Sequence, residues 1–300
     1  MIAARAFAST DVAVFGLAAG GLASVRALKA GGARVHAWDE SGDARRLAAN
    51  EGAHLVPVAE WPWDKLKAVV LSQPGPGDLV LKAMAAGVEL IGEVELFARE
   101  IGADPAIPGR APVIAIAGSS AAAALIAHIL GAKGHDVQAA AEAVLDLDLP
   151  NAKTVYVLAL TAFEIEHAPS LVPDVAVLSD IASGEGAAAA RLLTQTSKSG
   201  QLVIGVDDAQ AAALFTRHAS SGGPTAIPVS VGKILGRGVF VVDGALYDAQ
   251  GQRATKVMDL AAAAHFPAVS NWRDAALAFA ATKSFTKDNR AVAEAIREAS

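Results

Sequence analysis

Two glycine turns hold the residue types that could do chemistry. Gly16, Ala18 and Gly21, in GLAAGGLA, fit the loose dinucleotide spacing GxAxxG, and Asp39 closes the next apolar run. In such a pattern the glycines let backbone N–H groups approach a phosphate, and a carboxylate one strand later meets a ribose or a base. Leu17 lies within that turn, and Pro74 and Gly75, in QPGPG, would add backbone groups to the same edge. The second turn, Gly118, Ser119 and Ser120, sits in VIAIAGSSAAAALIAHIL. It has the frame of a nucleotide-phosphate site without its chemistry. A P-loop needs glycine N–H groups, a lysine for the anion and a Ser/Thr for magnesium, as in GxxxxGK[ST]. Here four alanines follow the two serines.

Other candidates read as structural. The seven histidines are dispersed, and none falls in HExxH or a similar cluster. Glu164, Glu166 and His167 in FEIEH fit a solvated helix face; Asp146 and Asp148 in LDLD fit a surface strand without a partner; His128 fits a packed or surface histidine. There is no GxSxG elbow and no cysteine, so serine hydrolysis, disulfides and thiolate metal sites have no support. A nicotinamide-dependent oxidoreductase using GxAxxG and Asp39 lacks an accompanying acid–base pair.

Parallel sheets covered by helices must position these turns, because short apolar runs alternate with alanine-rich helical segments. Strands are expected at Val12–Leu17, Ala33–Asp39 and Lys67–Ser72, with helices over Ala19–Ala30 and Asp78–Ala86 and a strand-then-helix over Val88–Ile101. The proline- and glycine-rich stretch Gly102–Pro112 is the expected domain boundary. Beyond it come a strand at Val113, a helix from Ser120 to Lys133, and strands at Val155–Thr161, Val175–Asp180 and Leu202–Asp208. Pro224–Gly232 and Gly238–Gly251 resemble antiparallel strands turning at Asp243-Gly244; helices near Asn271–Thr282 and Asn289–Glu298 follow.

Three hundred residues suffice for two domains, and a formal charge of −6 offers no field for a phosphate backbone. Nucleic acid is therefore not an expected partner. The uncharged run between Arg110 and Lys133 is long enough for a membrane, yet Pro112, Gly118, His128 and Gly131 interrupt it and its β-branched half precedes an alanine–leucine half. It reads as strand and helix, with no membrane span. The N-terminus does not read as a signal peptide, since Asp11 precedes any apolar core. The expected location is the cytoplasm.

GLAAGGLASVRALKAGGARVHAWD, LSQPGPG, ELIGEVELFARE, PVIAIAGSS with ALIAHIL, and LVIGVDD together resemble the Mur ligases, in the branch that joins D-glutamate to UDP-N-acetylmuramoyl-L-alanine. The similarity runs in register along the whole chain, and IGEVELF (Ile91–Phe97) and ALIAHIL (Ala124–Leu130) are its most specific pieces. The resemblance implies a Rossmann-like UDP-binding-type domain over 1–108 and a central ATPase-like domain over 109–300. The family's third domain is expected to be missing. It also implies uridine-diphosphate contacts at Gly16, Gly21, Asp39, Pro74 and Gly75, and an adenine-side asparagine at Asn271.

The departures fall where catalysis would lie. The family's phosphate loop is reduced to Gly118-Ser119-Ser120-Ala121, its metal-binding glutamate falls on Ala159, and no lysine near Ala187–Leu193 matches the one that becomes carbamylated. Ala18 and Gly20 stand where glycine and serine are usual. The expectation is a catalytically inactive paralogue with no cofactor, its ATP and magnesium binding lost. It would serve peptidoglycan precursor synthesis or its regulation by binding a UDP-N-acetylmuramoyl-type nucleotide sugar or a cell-wall enzyme. The alternative is an interaction scaffold with vestigial pockets, as a homodimer covering the face that the third domain would have occupied.

Overall fold

The computed structural model describes residues 1–101, 110–220, 222–263, 266 and 268–299. Two compact units emerge: Met1–Arg110 with Ala140–Pro150 and Phe163–Leu171, and Ala111–Ala139 with Asn151–Ala162 and Val172–Ser300. Most of the expected boundary stretch, residues 102–109, lies outside the described residues. Two short segments from beyond it belong to the first unit.

The first unit alternates β1 (Asp11–Phe15), α1 (Ala19–Ala30), β2 (Arg34–Trp38), α2 (Gly42–Asn50), β3 (His54–Leu55), β4 (Leu66–Leu71), α3 (Gly77–Ala86), β5 (Glu89–Ile91) and α4 (Glu93–Ile101). Its sheet is parallel, in the order β3-β2-β1-β4-β5. The order reverses direction between β1 and β4, so the turns after these two strands open on one edge, where α/β sheets bind ligands. β1 is buried along its whole length, as a central parallel strand must be. Ala13 and Phe15 pack with Trp61, Leu66, Val69, Leu71 and Leu79 on one face.

The rest of the chain runs β6 (Val113–Ala117), α5 (Ser120–Ala132), β7 (Asp136–Ala140), β8 (Thr154–Leu160), α6 (Ala162–Glu166), β9 (Val175–Leu178), α7 (Gly186–Gln195), β10 (Gln201–Gly205), α8 (Ala209–Ala219), β11 (Thr225–Val231), β12 (Val239–Val242), β13 (Ala245–Asp248), β14 (Thr255–Asp259), α9 (Val269–Thr282) and α10 (Asn289–Glu298), and all of these but α6, which from Phe163 on belongs to the first unit, build the second. Its sheet order is β14-β13-β12-β11-β10-β9-β6-β8-β7. The alanine-rich α5 and α9 lie in one apolar core with β6, β9 and β10, because small side chains let helices approach closely. Among the described residues no helix is long and apolar enough to cross a membrane.

This is the α/β architecture expected, with one correction. β11 is parallel to both β10 and β12, so Pro224–Gly232 is not half of a hairpin with the next strand. Only β12 and β13 form the antiparallel pair across Asp243-Gly244, whose φ values of 50° and 71° suit that tight turn. Pro228 cannot donate to a ladder, and proline is usually confined to edge strands. It sits inside the sheet, paired with Ile204.

Candidate functional site

In the first unit, the turn after β1 is built around two glycines, one in a left-handed conformation and one packed against backbone. Gly16 ends the strand at φ 83°, a left-handed conformation. A Cβ on Gly21 would stand 1.9 Å from the Gly16 carbonyl oxygen, so α1 starts directly on the turn. The N-cap residue of α1, Ala18, makes no side-chain cap, and the first turn carries no acid. Ala18 is exposed and Leu17 is buried.

Asp39 comes to this turn from the end of β2, but it works on the loop itself. Its Oδ2 accepts the Leu17 N–H at 2.7 Å and its Oδ1 accepts the Ser41 N–H at 2.7 Å. The Gly16 N–H donates to the Trp38 carbonyl at 3.0 Å, completing the junction. Gln73 lies over Gly16, with its Cγ 2.8 Å from where a Cβ would be. Pro74 is exposed beside it, and Gly75 nestles against Leu71 and Leu79. The residues named from the sequence in this unit thus converge on the end of β1 and its neighbours.

Sequence reasoning did not assign two acids that the structure brings forward. Glu93 and Glu95, the glutamates of IGEVELF, are both buried. Glu93 Oε1 accepts the Leu145 N–H at 2.9 Å, and its Oε2 lies 2.6 Å from the Cβ position of Gly20. Burial pushes its carboxyl up to about 8; the Leu145 N–H opposes this, while the charges of Glu164 and Asp146 add to it. Glu95 accepts the Ser170 N–H and hydroxyl, both at 2.7 Å, and Arg99 Nε at 2.7 Å. The signal was in the sequence: both acids stand among apolar residues of a helix that is almost wholly buried.

In the second unit, Gly118 leaves β6 at φ 91°. A Cβ there would stand 3.0 Å from the Asp180 carbonyl oxygen, so the turn is packed against the end of β9. Ser119 is the N-cap of α5: its Oγ accepts the Ala122 N–H at 3.0 Å. The same hydroxyl donates to Asp274 Oδ1 at 2.7 Å, from α9. Burial pushes the Asp274 carboxyl above the usual range, with the Asp180 charge adding, while the Ser119 hydroxyl and Arg273 pull it down. Arg273 in turn pairs with Asp180. Ser120 is exposed as the first residue of α5.

Asn271 turns its Oδ1 to the N–H of Ala268, 3.2 Å away, and so serves the start of α9. With His128, Leu125, Phe266 and Asp274 it lines a cavity of about 270 Å³. Asp146 binds Arg26 at 2.6 Å, and His167 Nδ1 contacts the Phe163 carbonyl at 2.8 Å, so both serve structure. Among the described residues no group of three metal-ligating side chains comes together.

Two α/β units, each with a glycine turn after its leading strand, agree with the resemblance to the Mur ligases, and the comparisons bear it out. The chain aligns with a "UDP-N-acetylmuramoylalanine--D-glutamate ligase" of Caulobacter vibrioides at 39% identity, covering 95% of this chain and 65% of that protein. A protein of the same description from Phenylobacterium zucineum is 38% identical, over 94% of this chain and 65% of its own length. No family model matches. The fold is shared with UDP-N-acetylmuramate:L-alanyl-gamma-D-glutamyl-meso-diaminopimelate ligase from Neisseria meningitides, at TM-score 0.60 and 14% identity, over 97% of this chain and 98% of that one. The chain belongs to the Mur ligase family, and its curated relatives are of the D-glutamate-adding kind. It spans about 65% of their length.

Proposed function

We propose that this protein is a non-catalytic Mur ligase homologue, of the D-glutamate-adding branch, that serves peptidoglycan precursor synthesis in the cytoplasm. It would bind a UDP-N-acetylmuramoyl-type nucleotide sugar without consuming ATP. The observation that carries the reading is the Ser119–Asp274 hydrogen bond. A helix N-terminus favours an anion, and in nucleotide-binding turns that anion is the ligand's phosphate. Here the chain supplies its own carboxylate, fastened to the cap hydroxyl, with a second carboxylate, Asp180, across the turn.

A triphosphate and its magnesium therefore do not fit the donor set of this turn. The lysine and the metal hydroxyl of a P-loop have no counterpart in Gly118-Ser119-Ser120-Ala121. Phosphoryl transfer depends almost wholly on positioned charge, and losing one such group alone slows an enzyme by about 100- to 1000-fold. No ligase step is assigned to these residues.

The turn after β1 stands in contrast. α1 begins without a side-chain cap and with no acid in its own first turn, which suits an outside anion. This supports retention of a diphosphate site there. The reading as a scaffold with a vestigial pocket draws on a different observation: Gln73 covers Gly16 and Asp39 already holds Leu17 and Ser41. Calorimetric titration separates the two. The proposal expects micromolar binding of UDP-N-acetylmuramoyl-L-alanine and no binding of ATP with magnesium. Silence with the nucleotide sugar at millimolar concentration leaves the scaffold; ATP binding with turnover sinks both.

A further inference from the structure

A helix that covers a sheet normally buries an apolar stripe against it, yet α8 fully buries only Ala211. Ala212, Phe215, Thr216 and Ala219, spaced to share one side of the helix, line a cavity of about 680 Å³ instead. The facing wall comes from β11 and from the loop 232–238 that joins it to β12. Ile227 and Val229 turn into the core, so the alternate residues Ala226 and Pro228 face the other way, toward the cavity. β10 and β9 separate β11 from β6, and no residue of either glycine turn lines this space.

Its chemistry is one-sided. Phe215, Pro228 and Leu235 make the walls apolar, and His218 and Arg237 bring nitrogen to the same space. Among the described lining residues none is acidic. Asp207, next to Val206 in the wall, is taken by the Ser230 hydroxyl at 2.6 Å, the Val231 N–H at 2.8 Å and the Lys233 ammonium. Burial and the Arg217 charge lower the His218 pKa, so at neutral pH His218 offers a hydrogen bond and Arg237 the charge. The backbone beside Arg237 is held over β11: a Cβ on Gly238, at φ 122°, would stand 2.3 Å from the Pro228 carbonyl oxygen. An apolar cavity of this size with a few convergent polar groups is the form that small-molecule sites take. One fixed guanidinium, with its parallel N–H donors, matches one carboxylate.

We propose that the cavity between α8 and the loop 232–238 binds a hydrophobic organic carboxylate, with its apolar body against Phe215 and Leu235 and its carboxylate on Arg237 and His218. The site is independent of the nucleotide-sugar reading, and its failure would leave that reading untouched.

Calorimetric titration of the whole chain with octanoate and with octanol tests the assignment, in wild type, Arg237→Gln and Ala212→Trp. Wild type should bind octanoate about tenfold more tightly than octanol, the size of a charge-assisted hydrogen bond. Arg237→Gln should remove that difference by weakening octanoate alone. Ala212→Trp, which fills the cavity, should abolish binding of both. No heat with octanoate at millimolar concentration overturns the proposal. So does octanoate bound no better than octanol, or octanoate affinity that Arg237→Gln leaves within about twofold. Thermal melting separates lost affinity from lost fold; Arg237 is exposed, so its variant keeps the test decisive if Ala212→Trp does not fold.

Discussion

Glu95 holds Ser170 twice, its Oε2 accepting the backbone N–H and its Oε1 the hydroxyl, each at 2.7 Å. Two residues earlier, Glu93 accepts the N–H of Leu145. The pair of acids in IGEVELF thus fastens Phe163–Leu171 and Ala140–Pro150 into the first unit, so this motif does structural work here. Arg99, bridging Glu95 and Glu89, keeps the Glu95 charge compensated. Glu95→Ala leaves Arg99 and the Ser170 donors without their acceptor and should cost about 3 kcal/mol. Glu95→Gln should cost less. Urea unfolding reads the loss, and faster amide exchange at Ser170 in the alanine variant would localise it; unchanged exchange there would refute the clamp.

Glu93 makes stability depend on pH in an unusual direction. Its folded value of about 8 lies above the ordinary 4.5, so between these two the folded state binds a proton that the unfolded state has released. Stability from this group is full below pH 4.5 and declines as pH rises through the window, by about 1.4 kcal/mol per unit. Glu93→Gln should flatten the decline between pH 5 and 8 and raise stability most at the alkaline end. Melting curves across pH measure it. Parallel curves for variant and wild type would show that the carboxyl is already ionised.

Ser119 joins two jobs in one hydroxyl, capping α5 and holding Asp274. Ser119→Ala should cost about 1–2 kcal/mol through the lost cap and the carboxylate left without its donor. A double-mutant cycle with Asp274→Ala should give a coupling of about 1 kcal/mol, as expected for residues in direct contact. Additive losses would mean that the two side chains do not meet.

The start of α1 tolerates no side chain at Gly21, where a Cβ would fall 1.9 Å from the Gly16 carbonyl. Gly21→Ala should cost about 3 kcal/mol, the upper end for overpacking, because backbone rather than a flexible side chain must move. The urea midpoint checks this. A loss under about 0.5 kcal/mol would show the helix to be free to shift away from β1.

Much of the scaffold was readable from local pattern. Buried runs such as Val113–Ala117, the alanine-rich α5 and the glycine turns at Gly16 and Gly118 follow from the burial, spacing and φ requirements of near neighbours, which the chain writes within a few residues. The alternation itself determined parallel sheets under helices. The short β7 and β14, with polar residues and little full burial, carried no such pattern and were not anticipated. Nor was the parallel course of β11, since strand direction depends on which neighbour it meets.

What the tertiary structure alone decided is the partner of each charge. Asp274 reaches Ser119 from 155 residues away, Glu93 and Glu95 meet segments from beyond the first sheet, and Asp39 turns inward onto its own loop. Arg45 lies over Trp38 and donates to the Asp39 and Glu40 carbonyls. A carboxylate or guanidinium reads alike in sequence whether solvated, buried or stacked; its energy is set by burial and by groups that only the folded chain brings within hydrogen-bonding distance.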